Sequence, residues 1–147
     1  MSNVTAEWLI NELKLEPHSE GGWFRQTFID MPEDGGRAYS TLIYYLLEGT
    51  DYSRWHRVDA SEVWHWYAGA PMRLTVSPDG LTAQSTILGN DFLKEERPQL
   101  MVPRHHWQTA RSLGDWTLVG CTVAPGFLPS YFEVADQQAM PNTLAAG

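Results

Sequence analysis

The densest concentration of side chains able to bind a ligand or move a proton is the run from Trp55 to Gly69, WHRVDASEVWHWYAG. Read as two β-strands around a short turn, the run is sorted by parity. His56 and Val58 share one face and Arg57 takes the other; Glu62, Trp64 and Trp66 share a face, with Val63, His65 and Tyr67 opposite. An inward His56 then converges on Glu62 across the turn, while His65 points away. An imidazole beside a carboxylate is held in one tautomer and made a better base, worth about 10²-fold to 10⁴-fold in proton transfer when well placed. Glu62 or Asp59 is the expected orienting partner, and Tyr44, Tyr45, Tyr52 and Tyr67 all lie near enough in sequence to be the matching acid. A purely structural reading has His56 and Glu62 satisfying each other in a polar interior.

Other residues attach to this centre. Gln108 offers an amide, Trp64 and Trp66 an apolar wall, and Arg25 a guanidinium that either braces a carboxylate such as Glu62 or anchors an anionic ligand. His18, beside Pro17 and ahead of Glu20-Gly21-Gly22, reads as a loop residue. Adjacent His105 and His106 point to opposite sides of any regular strand. Cys121, in Leu118-Val119-Gly120-Cys121-Thr122-Val123, has no basic neighbour to stabilise a thiolate and reads as a buried structural thiol. Phosphate loops of the GxxxxGK[ST] type, GxGxxG, HExxH, GxSxG and CxxC are all absent.

The elements that must position these groups are mostly strands. Thr5 caps a helix expected over about residues 5–14, carried by Trp8, Leu9 and Leu13 and stopped by Pro17. From Gly22 onward, aromatic and β-branched stretches alternate with Gly, Pro, Asp and Asn. The predicted strands are Trp23–Ile29, Tyr39–Glu48, Tyr52–Arg57, Glu62–Ala68, Met72–Ser77, Thr82–Leu88, Leu100–Val102, Trp107–Arg111, Trp116–Ala124 and Tyr131–Val134. Ser77-Pro78-Asp79-Gly80 closes a hairpin within Met72–Leu88. So many short strands in one domain of 147 residues predict an all-β barrel or two-sheet sandwich, because open edges invite aggregation.

Several blocks carry a resemblance. Gly49, His56, Glu62 and Gly69 resemble the first motif of the cupin superfamily, G(x)5HxH(x)3,4E(x)6G, with one extra residue before His56 and Val58 where the second His stands. Pro103-Arg104-His105-His106-Trp107-Gln108 is similar to the second motif, with Gln108 in the place of its His. A closer resemblance is to cupin family 5. It is carried by Pro17-His18-Ser19-Glu20-Gly21-Gly22-Trp23-Phe24-Arg25, by His56-Arg57-Val58-Asp59 with Glu62 to Pro71, and by Gly114 to Phe127. It implies a cupin-type double-stranded β-helix (jelly roll) over about residues 22–135, and a homodimer. Metal-binding cupins use the two His and Glu of the first motif and the His of the second, so the matching ligands here are His56, Glu62 and Gln108. That set has one imidazole, short of the firm ligands such sites use, so a weakly held divalent metal or none is expected. Metal-free jelly-roll relatives, the deoxysugar epimerases, pair a His with a carboxylate as base.

Composition sets outer bounds. The formal charge of −8 repels phosphate backbones, and the 10 Lys and Arg form no basic stripe, so nucleic acid is not an expected partner. The longest apolar run, Leu42 to Leu47, is far short of the roughly 18 residues of a membrane span. The first residues show no secretory pattern, and a cytoplasmic protein is expected. The leading reading is a small-molecule-binding jelly roll holding a polar metabolite in its barrel mouth, acting as a metal-independent isomerase or epimerase. The alternatives are a metal-dependent enzyme at the same residues and a non-catalytic structural or partner-binding barrel.

Overall fold

The computed structural model describes residues 4–142. One helix, α1 (Ala6–Glu12), precedes eleven strands. Thr5 Oγ1 accepts the Trp8 N–H at 3.1 Å and caps the helix as its sequence suggests. The helix is shorter than the pattern implied: it ends on Leu13 and turns at Lys14, whose φ of 56° is left-handed, before Pro17 is reached. No helix among the described residues is long and apolar enough to cross a membrane.

The strands are β1 (Glu16–Pro17), β2 (Trp23–Asp30), β3 (Ser40–Glu48), β4 (Ser53–Val58), β5 (Ser61–Gly69), β6 (Met72–Ser77), β7 (Gln84–Leu88), β8 (Gln99–Val102), β9 (Trp107–Ser112), β10 (Trp116–Ala124) and β11 (Phe132–Val134). They form two antiparallel sheets, one ordered β1-β2-β3-β10-β5-β8 and the other β11-β4-β9-β6-β7, packed as a jelly-roll sandwich. Strand β7 starts two residues later than expected because the Asp79 carboxylate gathers the N–H groups of Leu81 and Thr82, each at 2.9 Å, into the turn. The core between the sheets is built from Leu47, Trp64, Met72, Leu74, Leu88 and Val119.

Parity along β4 and β5 is as the sequence required. Arg57 points outward to Glu133, and His65 bonds Thr122 on the outer face of its sheet at 2.9 Å. Although β4 and β5 are joined by Asp59 and Ala60 alone, they belong to different sheets. His56 and Glu62 therefore face each other across the sandwich from opposite layers.

Strand β1 was not visible in the sequence; it is two residues long and pairs with Trp23 and Phe24. The turn between β1 and β2 is fixed by His18 N–H to Gly22 O at 2.9 Å and by Gly22 N–H to the Asp51 carboxylate at 3.0 Å. Gly21 sits there at φ 112°, and a Cβ would lie 2.3 Å from the Tyr52 carbonyl oxygen. Only glycine fits. Gly21→Ala is expected to cost more than about 1 kcal/mol in urea denaturation. Gly35→Ala, also at positive φ but with nothing within 4 Å, is the control for backbone strain alone; equal losses in the two variants would show that the close packing at Gly21 contributes nothing.

Candidate functional site

Between the sheets lies a cavity of about 390 Å³, within the range of small-molecule sites. Its buried and half-buried polar lining is His18, Glu20, Thr41, Tyr45, His56, Glu62 and Cys121. Its apolar walls include Phe24, Ile43, Val58, Val123, Phe127 and Phe132, and the exposed residues Ser19, Gln26 and Pro129 stand at its rim. Glu20, His56 and Glu62 are 6%, 3% and 7% exposed, so their charges are carried without bulk water.

His56 is held at both ring nitrogens. Nδ1 lies 2.7 Å from the Arg54 carbonyl oxygen, an acceptor only, so Nδ1 carries a proton. Nε2 lies 3.2 Å from Glu20 Oε2. Two lone pairs facing each other there repel, and two protons crowd. The contact therefore holds one proton, as imidazolium with carboxylate or as imidazole with carboxylic acid. Burial pushes His56 down and Glu20 up, bringing their proton affinities toward one another. Ser53 donates to the other oxygen of Glu20 at 3.0 Å and holds the carboxyl in place.

The partner of His56 is thus Glu20, where the sequence pointed to Glu62 or Asp59. Asp59 is engaged outside the cavity in a two-pronged pair with Arg37 at 2.7 and 2.8 Å. Glu62 belongs to a separate chain of hydrogen bonds. The Trp64 indole N–H, a donor only, gives its proton to Gln108 Oε1 at 2.8 Å. That fixes the amide, and Gln108 Nε2 donates to Glu62 Oε1 at 2.8 Å. Burial lifts Glu62 from 4.5 to about 7, with His56 opposing and Glu20 reinforcing the shift. Near neutral pH it is populated both with and without its proton.

The remaining assignments sort by position. Tyr45 is the tyrosine that lines the cavity, but its hydroxyl donates to the Gly21 carbonyl at 2.6 Å, and burial beside Glu20 raises it well above the usual range. It is a brace, not an acid. Tyr44 and Tyr67 meet edge to face on the outer side of the sheet, and Tyr52 lies against Arg54 and Arg111. Trp64 is core, Trp66 donates to the Ala70 carbonyl at 3.1 Å, and the walls they were expected to form are made by phenylalanines instead. Arg25 reaches away from Glu62 to the Leu13 carbonyl at 3.2 Å. Cys121 is buried, and burial pushes its thiol well up. The residues that sequence reasoning missed as site members are His18 and Glu20. Their signal was the glycine pair that follows them, which folds the β1–β2 turn back over the cavity.

A family model described as cupin superfamily (DUF985), cupin family 5, matches residues 7–135. The chain belongs to cupin family 5. This cupin is 29% identical over 140 residues to the uncharacterized protein YML079W of Saccharomyces cerevisiae, covering 81% of this chain and 69% of that one. It superposes on protein SO0799 of Shewanella oneidensis with a TM-score of 0.87 at 35% identity, over 92% of this chain and 87% of that one. A dTDP sugar isomerase of Desulfovibrio desulfuricans has a TM-score of 0.63 at 14% identity, over 90% and 87% of the two chains, a likeness of fold.

Among cupins the equivalent positions often hold a metal, and the donor set of this cupin does not fit one. The Gln108 amide oxygen, the atom that would ligate, is taken by Trp64, while its amide nitrogen faces Glu62. Among the described residues, no group of three or more His, Cys, Asp and Glu is placed to hold a metal ion.

Trp64→Phe is expected to strand the buried Gln108 oxygen and lower stability by about 1–3 kcal/mol, read from urea midpoints; an unchanged midpoint would remove the anchoring role of the indole. Glu62 sets a pH dependence. Its folded value of about 7 exceeds the 4.5 of an ordinary glutamic acid, so the folded state binds the extra proton between those values. The contribution is fully present below about pH 4.5, falls as pH rises toward 7, and is flat above. Glu62→Gln is expected to remove that fall, gaining on the order of 2–3 kcal/mol relative to wild type between pH 4.5 and pH 8. Parallel stability curves for the two proteins would contradict the shift.

Proposed function

We propose that this cupin binds a small organic molecule in the phenylalanine-walled cavity and moves a proton on it without a resident metal, in an isomerase-type or epimerase-type reaction. The observation that carries the reading is the His56–Glu20 contact, a buried pair that holds one proton and lines the cavity. Such a pair, already holding its one proton, gives it to a carbanionic or enolate form of the ligand and takes it back on the return. Glu62, populated in both forms near neutral pH, supplies or accepts the second proton on the same cavity. Shared fold with a dTDP sugar isomerase is in keeping with proton-transfer chemistry in such a roll, although at 14% identity it carries no substrate.

The test is deuterium incorporation. Wild-type protein in D₂O with a panel of sugars, hydroxy acids and ketones is expected to exchange a C–H for C–D in at least one of them, followed by NMR. His56→Gln and Glu20→Gln should each slow that exchange about 10²-fold or more with the circular dichroism spectrum intact. Exchange at wild-type rate in both variants would remove the assignment, and a wild-type protein inert toward the whole panel would favour a non-catalytic barrel.

A further inference from the structure

None of the ten Lys and Arg side chains lines the cavity. Those on adjacent segments are engaged elsewhere: Arg37 with Asp59, Arg57 with Glu133, Arg25 with the Leu13 carbonyl. Arg54 donates to the Glu20 main-chain oxygen at 3.0 Å, not to the carboxylate.

The two imidazoles do not supply the missing positive charge. His18 Nδ1 accepts the Glu20 backbone N–H at 3.1 Å, so that nitrogen is unprotonated and the ring carries its proton on Nε2. An imidazolium at His18 would set two N–H groups against each other. His56 gains a positive charge only by taking the proton it shares with Glu20, which leaves a carboxylate in the same contact. The lining is therefore neutral or, with Glu62 ionised, negative. An anionic ligand entering it gives up water, meets no counter-charge and faces two carboxyl groups.

An organic cation fares no better by geometry. Three of the four carboxyl oxygens are already held, Glu20 Oε1 by Ser53, Glu20 Oε2 by His56 and Glu62 Oε1 by Gln108, and a single remaining oxygen does not cradle the three donors of an ammonium. Of the two imidazoles on the cavity, one ring donor remains open. Among the described residues His18 Nε2–H has no hydrogen-bond partner, and its ring packs edge-on against Phe24 at 4.6 Å and Tyr45 at 5.5 Å between centroids. A single N–H among aromatic walls suits a carbonyl oxygen attached to an apolar body.

We propose that the cavity takes an uncharged carbonyl compound with an apolar flank, an aldehyde or ketone bound through its oxygen, and excludes phosphorylated and carboxylated ones. This deepens the assignment of the cavity as the ligand site and rests on it. The experiment is calorimetric titration of the full chain at pH 7 with four probes sharing one ring: acetophenone, benzoate, phenyl phosphate and benzylammonium. Acetophenone is expected to bind at least about tenfold more tightly than each of the other three. Gln26→Arg, which sets a guanidinium at the exposed rim, is expected to raise benzoate affinity relative to acetophenone about tenfold. Benzoate, phenyl phosphate or benzylammonium binding as tightly as acetophenone would overturn the proposal. So would undetectable acetophenone binding, or a Gln26→Arg variant whose benzoate preference does not move. Binding is read here and exchange in the deuterium assay. Loss of charge selectivity therefore leaves the His56–Glu20 proton transfer standing, and an inert deuterium assay leaves the selectivity standing.

Discussion

A carbonyl oxygen can only accept a hydrogen bond, and the protonation of the cavity follows from that at one residue. Because Arg54 presents its carbonyl to His56 Nδ1, the other imidazole nitrogen meets Glu20 with one proton between them. Buried carboxylates are costly unless hydrogen-bonded and balanced, and both carboxyl groups here meet that requirement by different means. Glu20 is balanced by the shared proton and by Ser53; Glu62 is held by Gln108, which is itself oriented by an indole. The same principle of donor-only and acceptor-only groups sets His18, Gln108 and His56 alike.

The jelly roll makes this arrangement possible because the chain crosses from one sheet to the other between β4 and β5. β4 and β5 are two residues apart in sequence, yet they present His56 and Glu62 to one space from facing layers. Gln108, paired with His56 across β4 and β9, reaches over to Glu62 and ties the sheets together at the cavity. Glu20 comes from the turn between β1 and β2, where Gly21 and Gly22 allow the backbone to approach Tyr52 and Leu46 more closely than any side chain would permit.

Chemically, the cavity combines buried ionisable groups with walls that supply no positive charge. This separates it from sites built on arginine or on a metal, where charge on the ligand is met by charge on the protein. Aromatic and aliphatic side chains surround few polar atoms, a lining in which shape and a small number of hydrogen bonds set orientation.

Much of this was written in the chain itself. Glycine, proline and alternating apolar residues determined an all-β roll with a single leading helix, and parity alone determined that His56, Val58, Glu62 and Trp64 turn inward while Arg57 and His65 turn out, because the side-chain period of a strand is two wherever the register holds. The partners were decided by tertiary structure. Glu20 lies 36 residues before His56 in a turn too short and too irregular for periodicity to reveal, and Trp64 could as well have walled a pocket as anchored Gln108. Face is a local property of a strand, whereas which buried donor meets which buried acceptor depends on how two sheets are laid against each other, and only the folded chain specifies that.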